Sequence, residues 1–151
     1  MNEGSEIVGN RNDLTRGGGG ITISGSNVTI RGGLISENSS DQGGGIYIDS
    51  INIFTNDSTV TMYGGIISKN SSRIIGGGGI YIDDSDNRFI KRTAPGSNTS
   101  GIIYGSDGGT DANTISSGQG AAIYIDYPRR KRNSTLGLND EISTLTTAGW
   151  E

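Results

Sequence analysis

The chain has 151 residues, 30% of them hydrophobic, with twelve basic against sixteen acidic side chains and a formal charge of -4. That is chain enough for one domain and a poor electrostatic footprint for nucleic acid or an anionic membrane. Cys and His are both absent, which removes disulfides, thiol nucleophiles, Ser-His triads and the usual zinc ligands.

Composition favours strands over helices: 22 isoleucines stand against 5 leucines, beside 27 glycines and only 2 prolines. No apolar run approaches the roughly 18 residues of a membrane span, and no charged, apolar, small-residue leader follows Met1. Membrane insertion is therefore not expected.

In chain order, residues 1–16 read as a lead-in or cap. The first recurring string is Gly18-Gly19-Gly20-Ile21-Thr22-Ile23-Ser24. It returns as Gly43-Gly44-Gly45-Ile46-Tyr47-Ile48-Asp49, as Gly77-Gly78-Gly79-Ile80-Tyr81-Ile82-Asp83 and as Gly120-Ala121-Ala122-Ile123-Tyr124-Ile125-Asp126. Between these, the stretch from Val28 to Asn38 matches the stretch from Val60 to Asn70, and a degraded copy runs from Gly101 to Gly105. Asn113 precedes Ile123 as Asn70 precedes Ile80. From Tyr127 the pattern gives way to the basic run Arg129 to Arg132, then to Leu136, Leu138, Ile142, Leu145 and Trp150.

Each run alternates with period two, so one face takes the isoleucines and the other takes Tyr and Asp. Runs of three or four residues bury nothing alone. Stacked in parallel, about 4.8 Å apart, they place Ile21, Ile46, Ile80 and Ile123 over one another and build a continuous core. The expected fold is all-β, a right-handed parallel β-helix of about four coils over residues 17–126, with residues 127–151 as a C-terminal capping tail. Asn38, Asn70 and Asn113 are expected to stack at one corner, each amide bonding to the next.

The Gly-Gly-Gly-Ile-Tyr-Ile strings and the run Met62-Tyr63-Gly64-Gly65-Ile66-Ile67-Ser68-Lys69-Asn70 resemble the β-helix repeats of large spirochaete (Treponema-type) surface and secreted proteins. The ending, with Arg130-Lys131-Arg132-Asn133-Ser134-Thr135 and the final Gly149-Trp150-Glu151, resembles their terminal module. The chain departs from that pattern at Ala121, where a histidine is common, and in its long third unit. This resemblance implies a bacterial, extracellular or cell-surface location and transfers no catalytic residue. A fold-level likeness to the β-helix carbohydrate-binding modules of gut bacteria implies a non-catalytic role.

The candidate site combines a row of tyrosines, Tyr47, Tyr81 and Tyr124, with a neighbouring row of carboxylates, Asp49, Asp83 and Asp126, both expected to face outward. Flat aromatic faces suit sugar C–H faces and carboxylates accept from sugar hydroxyls. The alternative is plain strand propensity for Tyr and turn chemistry for Asp. Growth of the segment after each Tyr strand, carrying Phe54, Phe89, Lys91 and Arg92, is expected at a single corner and would frame a site. Paired-carboxylate catalysis lacks partners of contrasting environment, the glycine runs lack a Gly-Lys-Ser/Thr phosphate signature, and Arg129 to Arg132 reads as a solvated turn rather than a nucleic-acid patch. The functional expectation is a non-enzymatic module without cofactor or resident metal. Its expected partner is a neutral polysaccharide chain, with xylan of the plant cell wall favoured. A structural or adhesive surface repeat is the alternative. Neither the oligomeric state nor calcium binding by the Asp row follows from the residues.

Overall fold

The computed structural model describes residues 1–49, 57–84, 86–97, 99–116, 120–126, 130–132, 135–137, 140 and 142–143. Phe54, Arg129, Leu138, Leu145 and Trp150 lie outside that set. The chain opens with β1 (Glu6–Val8). A first unit follows, with β2 (Ile21–Ser24), β3 (Asn27–Ile30), β4 (Leu34–Ser36) and β5 (Ser39–Ser40). The second has β6 (Ile46–Asp49), β7 (Thr59–Met62), β8 (Ile66–Ser68) and β9 (Ser71–Ser72). The third has β10 (Ile80–Ile82), β11 (Arg88–Lys91), β12 (Ile102–Ile103) and β13 (Thr114–Ile115), with a single 3-10 turn at Gly109–Asp111. Finally come β14 (Ile123–Ile125), β15 (Arg130–Arg132) and β16 (Ile142–Ser143).

The protein is thus all-β, and each sheet collects one strand from each successive unit. The orders are β1-β4-β8-β12, β15-β14-β10-β6-β2, β16-β11-β7-β3 and β13-β9-β5. Every strand pair up to β14 is parallel among the described residues, with Ile21 over Ile46, Ile46 over Ile80 and Ile80 over Ile123. The isoleucine core is the expected one: Ile46, Ile80 and Ile123 are fully buried in one cluster with Ile21 packed against it. Val60 and Met62 join it, and so does Phe89, whose expected place in a loop framing the site is corrected. Each fully buried aliphatic side chain contributes about 1.5–3 kcal/mol.

The units differ mainly in the connections between strands. Expected growth at one corner is corrected here, because Arg88–Lys91 is a strand in register with Thr59–Met62. Against the second unit the segment before β11 is shorter, and the added residues lie in 92–101, which leads to β12, and in 104–113, which leads to β13 and carries the 3-10 turn. Lys91 falls at the core-facing position held by Met62 and Ile30, and it is fully buried. Its Nζ donates to Ser100 Oγ at 2.6 Å, to the Gly137 carbonyl at 2.7 Å and to the Asp140 carbonyl, which tie the tail to the third unit. The basic run is likewise not a turn: Arg130–Arg132 pairs antiparallel with β14, as β16 does with β11. Leu136 joins the isoleucine core and bridges Ile103.

Candidate functional site

The corner after β4 and β8 holds the expected asparagine ladder. Asn38 donates its backbone N–H and its Nδ2 to Asn70 Oδ1, both at 3.0 Å, and Asn70 donates in the same way to Asn113 Oδ1 at 2.9 and 3.0 Å. All three residues are fully buried. A fourth rung was missed: Asn10 donates its N–H and Nδ2 to Asn38 Oδ1. The signal was present in the spacing, since Ile7-x-x-Asn10 repeats Ile35-x-x-Asn38 and Ile67-x-x-Asn70 and Ile7 pairs with Ile35. The residue before each of these three asparagines is left-handed, Gly9 at φ 71°, Glu37 at 58° and Lys69 at 54°, which turns the chain so that the amide points inward.

The tyrosine row leaves the isoleucine core, as alternation requires, but it does not reach solvent. Tyr47, Tyr81 and Tyr124 are 0%, 0% and 7% exposed and form a second buried cluster with Ile75 against it. Their rings stack at centroid separations of 5.2 and 5.6 Å, within the favourable range for aromatic pairs. The expectation of outward tyrosines is corrected, and the reason lies in the glycine runs. Each run doubles back over the strand that follows it. A Cβ on Gly77 would stand 2.7 Å from Tyr81 Cβ, and one on Gly120 2.8 Å from Tyr124 Cβ. Glycine alone permits that approach, at φ 76° and 67°.

The aspartates stack beside this second core. Asp83 N–H donates to the Ile48 carbonyl and Asp126 N–H to the Ile82 carbonyl, which continues the parallel ladder through the row. Asp49 and Asp126 are half-buried, and the Asp83 side chain is 14% exposed, with Arg16 Nη2 at 3.7 Å. Desolvation, reinforced by Asp49 and Asp126, pushes the Asp83 carboxyl above its ordinary range, against the opposing pull of Arg16 and Tyr47. Burial first, and the neighbouring aspartates second, hold the Tyr47 and Tyr81 phenols far above theirs. Neither hydroxyl makes a hydrogen bond of good geometry, although Asp83 neighbours the first and Asp126 the second. Among the described residues no group of three or more acidic side chains converges on a metal position. The row is a line rather than a cage.

An exposed aromatic surface lies elsewhere. Tyr63 follows β7 at the corner where Gly32-Gly33 and Gly64-Gly65 stack, and it is only half-buried. It lines a groove of about 430 Å³ with Arg31, Glu3, Ile66, Ser97 and Thr99, floored by the glycine pairs. The Arg31 guanidinium carbon stands 5.6 Å from the Tyr63 ring centroid, a cation–π distance that orients the ring. Ile66 is 39% exposed and belongs to an outward row with Leu34 and Ile102. The groove therefore offers an aromatic face, apolar edges and hydroxyl or charged groups together. A second groove, of about 620 Å³, runs along Ser26, Asn27, Asp57, Thr59 and Arg88 and is polar without an aromatic.

Sequence inspection missed Tyr63 as a site residue because its strand resembled the others. The available signal was the Gly-Gly pair after it, which leaves a ring no side chain to pack against in the next two positions. Compared with protein-family models, with curated proteins and with solved structures, the chain matches none.

Proposed function

We propose that the chain is a right-handed parallel β-helix of about four coils, closed at its C-terminal end by residues 127–151, and that it serves as a non-catalytic polysaccharide-binding module. The four sheets, parallel from β1 to β14 and built from successive units, support the architecture, and right-handed crossovers between parallel strands are the rule. The observation that carries the binding role is Tyr63 in its groove: a half-exposed ring beside apolar edges and the hydroxyls of Ser97 and Thr99. A sugar presents the complementary surface, C–H faces flanked by hydroxyls. A plant cell-wall polysaccharide, xylan favoured, is the proposed ligand class, and so large a ligand places the module outside a bacterial cell or on its surface. Among the described residues the groove is lined by one acidic side chain, Glu3, whereas glycoside hydrolysis by carboxylates needs two flanking the bond.

A structural or adhesive repeat like those of the spirochaete surface proteins is the second reading. It is favoured by the burial of the tyrosine row, which spends three aromatic side chains on internal packing. Affinity electrophoresis in gels containing xylan, β-glucan or pectin separates the two. Retardation that is lost in Tyr63→Ala and kept in Tyr81→Phe supports the binding module. Unretarded protein on every polysaccharide gives the argument to the surface repeat.

A further inference from the structure

The corner that carries Tyr63 also carries two arginines. Tyr63 N–H donates to the Ile30 carbonyl and Arg92 N–H to the Met62 carbonyl, so Arg31, Tyr63 and Arg92 occupy equivalent places in three successive units. Parallel strands stack about 4.8 Å apart, which makes this a row of cation, aromatic and cation spanning roughly 10 Å. Both arginines are exposed. Arg31 lies over the Tyr63 ring, and neither arginine takes part in an ion pair among the described residues. Arg11, Arg16, Lys69 and Arg73 are matched to aspartates, whereas Arg88 beside the second groove, like Arg31 and Arg92, makes no ion pair among the described residues. Only Arg31 and Arg92 stand next to an exposed ring in register, in a chain that is acidic as a whole. Glu3 lines the groove with Arg31 but makes no ion pair with it, so the two arginines that flank the ring in register are open to a carboxylate from outside.

We infer that the Tyr63 groove selects a glycan bearing uronate groups, with a sugar ring on Tyr63 and its carboxylate, or that of the adjoining residue, on Arg31 or Arg92. This rests on the polysaccharide-binding reading and narrows it from a neutral chain to an acidic or acid-substituted one. Guanidinium is the suited group, because its planar fork takes a carboxylate through two parallel hydrogen bonds. The row runs across the units, so an extended chain lying along it meets both cations, with separation comparable to one or two sugar residues.

The test is calorimetry with oligogalacturonate, with neutral xylo-oligosaccharides of equal length and with single-stranded DNA of similar charge, at about 0.02 M and about 0.3 M salt. The expected result is oligogalacturonate binding about tenfold tighter than the neutral oligomer, weakening several-fold with salt, and DNA binding weaker than either. Arg31→Gln should lower the uronate affinity about tenfold and leave the neutral affinity within about twofold, whereas Arg31→Lys should recover only part of the loss. Circular dichroism and thermal melting confirm that these surface variants fold. Equal affinity for charged and neutral oligomers, or an Arg31→Gln variant with unchanged uronate affinity, overturns the inference and leaves the polysaccharide module standing. DNA bound as tightly as oligogalacturonate also overturns it, showing a general anion site. No saccharide bound at all overturns both readings.

Discussion

Replacing Asn70 by Ala tests the asparagine ladder at its centre. The side chain is fully buried and makes four hydrogen bonds. Its Oδ1 accepts the Asn38 N–H and Nδ2 at 3.0 Å, while its Nδ2 donates to the Ile35 carbonyl at 2.9 Å and to Asn113 Oδ1 at 3.0 Å. Asn113 Oδ1 keeps the Asn70 backbone donor in the variant. The other three groups lose this partner inside the protein. At about 1–3 kcal/mol for each buried group left unpaired, the expected destabilisation is about 4 kcal/mol, a large share of the 5–15 kcal/mol available to a domain. Asn10→Ala supplies the control. Asn10 is exposed and its Nδ2 makes one bond into the ladder, while its backbone N–H holds Asn38 Oδ1 without it, so its loss should cost about 1 kcal/mol. Asn70→Asp sharpens the reasoning, because it places an oxygen against the Ile35 carbonyl and Asn113 Oδ1. It should be at least as damaging as Asn70→Ala near neutral pH and less so in acid, where the protonated carboxyl can donate. Urea denaturation followed by circular dichroism measures all three. Equal midpoint shifts for Asn70→Ala and Asn10→Ala would refute the claim that the buried bonds, rather than the corner's shape, hold the stack.

Glu37 is a non-glycine residue at φ 58° on an exposed position; Glu37→Gly should raise stability by about 0.5 kcal/mol, since relief of the left-handed strain exceeds the entropy of a flexible glycine, and a lower urea midpoint would contradict this. Tyr81→Ala empties the middle of the second core and should cost about 3–5 kcal/mol, whereas Tyr81→Phe keeps the stack and removes a buried hydroxyl without a hydrogen bond of good geometry, so its melting temperature should equal or exceed the parent's. The raised Asp83 carboxyl means that the folded state holds its proton to higher pH than the unfolded chain; this group's contribution to stability therefore falls as pH rises from the ordinary value of 3.8 through the raised one. Asp83→Asn should accordingly gain stability relative to the parent at neutral pH and lose that advantage in strong acid, and a pH-independent difference in melting temperature would count against the assignment.

Much of the fold was legible because its determinants are periodic. Isoleucines at matched places in four strings imply a shared interior, and an asparagine at constant offset implies a ladder, so rows and registers follow from counting. What hid the third unit's strand at Arg88–Lys91 was Lys91, a charge where the pattern asks for Met or Ile. It is accommodated because Ser100 Oγ and two tail carbonyls receive its ammonium, partners supplied from 9 to 49 residues away along the chain. No local pattern contains that information. The same holds for Arg130–Arg132, whose basic composition suggested solvent until pairing with β14 made it a strand.

The tyrosines show where period-two reasoning stops. Alternation fixes which side of a strand a residue leaves from, and it placed Tyr81 correctly away from the isoleucines. Whether that side meets water depends on what the chain does next, and here the glycine run passes over it, close enough that a methyl group at Gly77 would collide with Tyr81. Tyr63 differs in this respect. Its neighbours Gly64 and Gly65 lie against Arg31 and Gly33 of the unit before, 2.5 and 2.8 Å from a notional Cβ, so these glycines serve the contact between units and the ring stays open at the corner. Two tyrosines in different rows of one molecule thus acquire opposite roles from the direction in which adjacent glycines are packed, and exposed chemistry in such a chain is found by following the glycines rather than the aromatic rows.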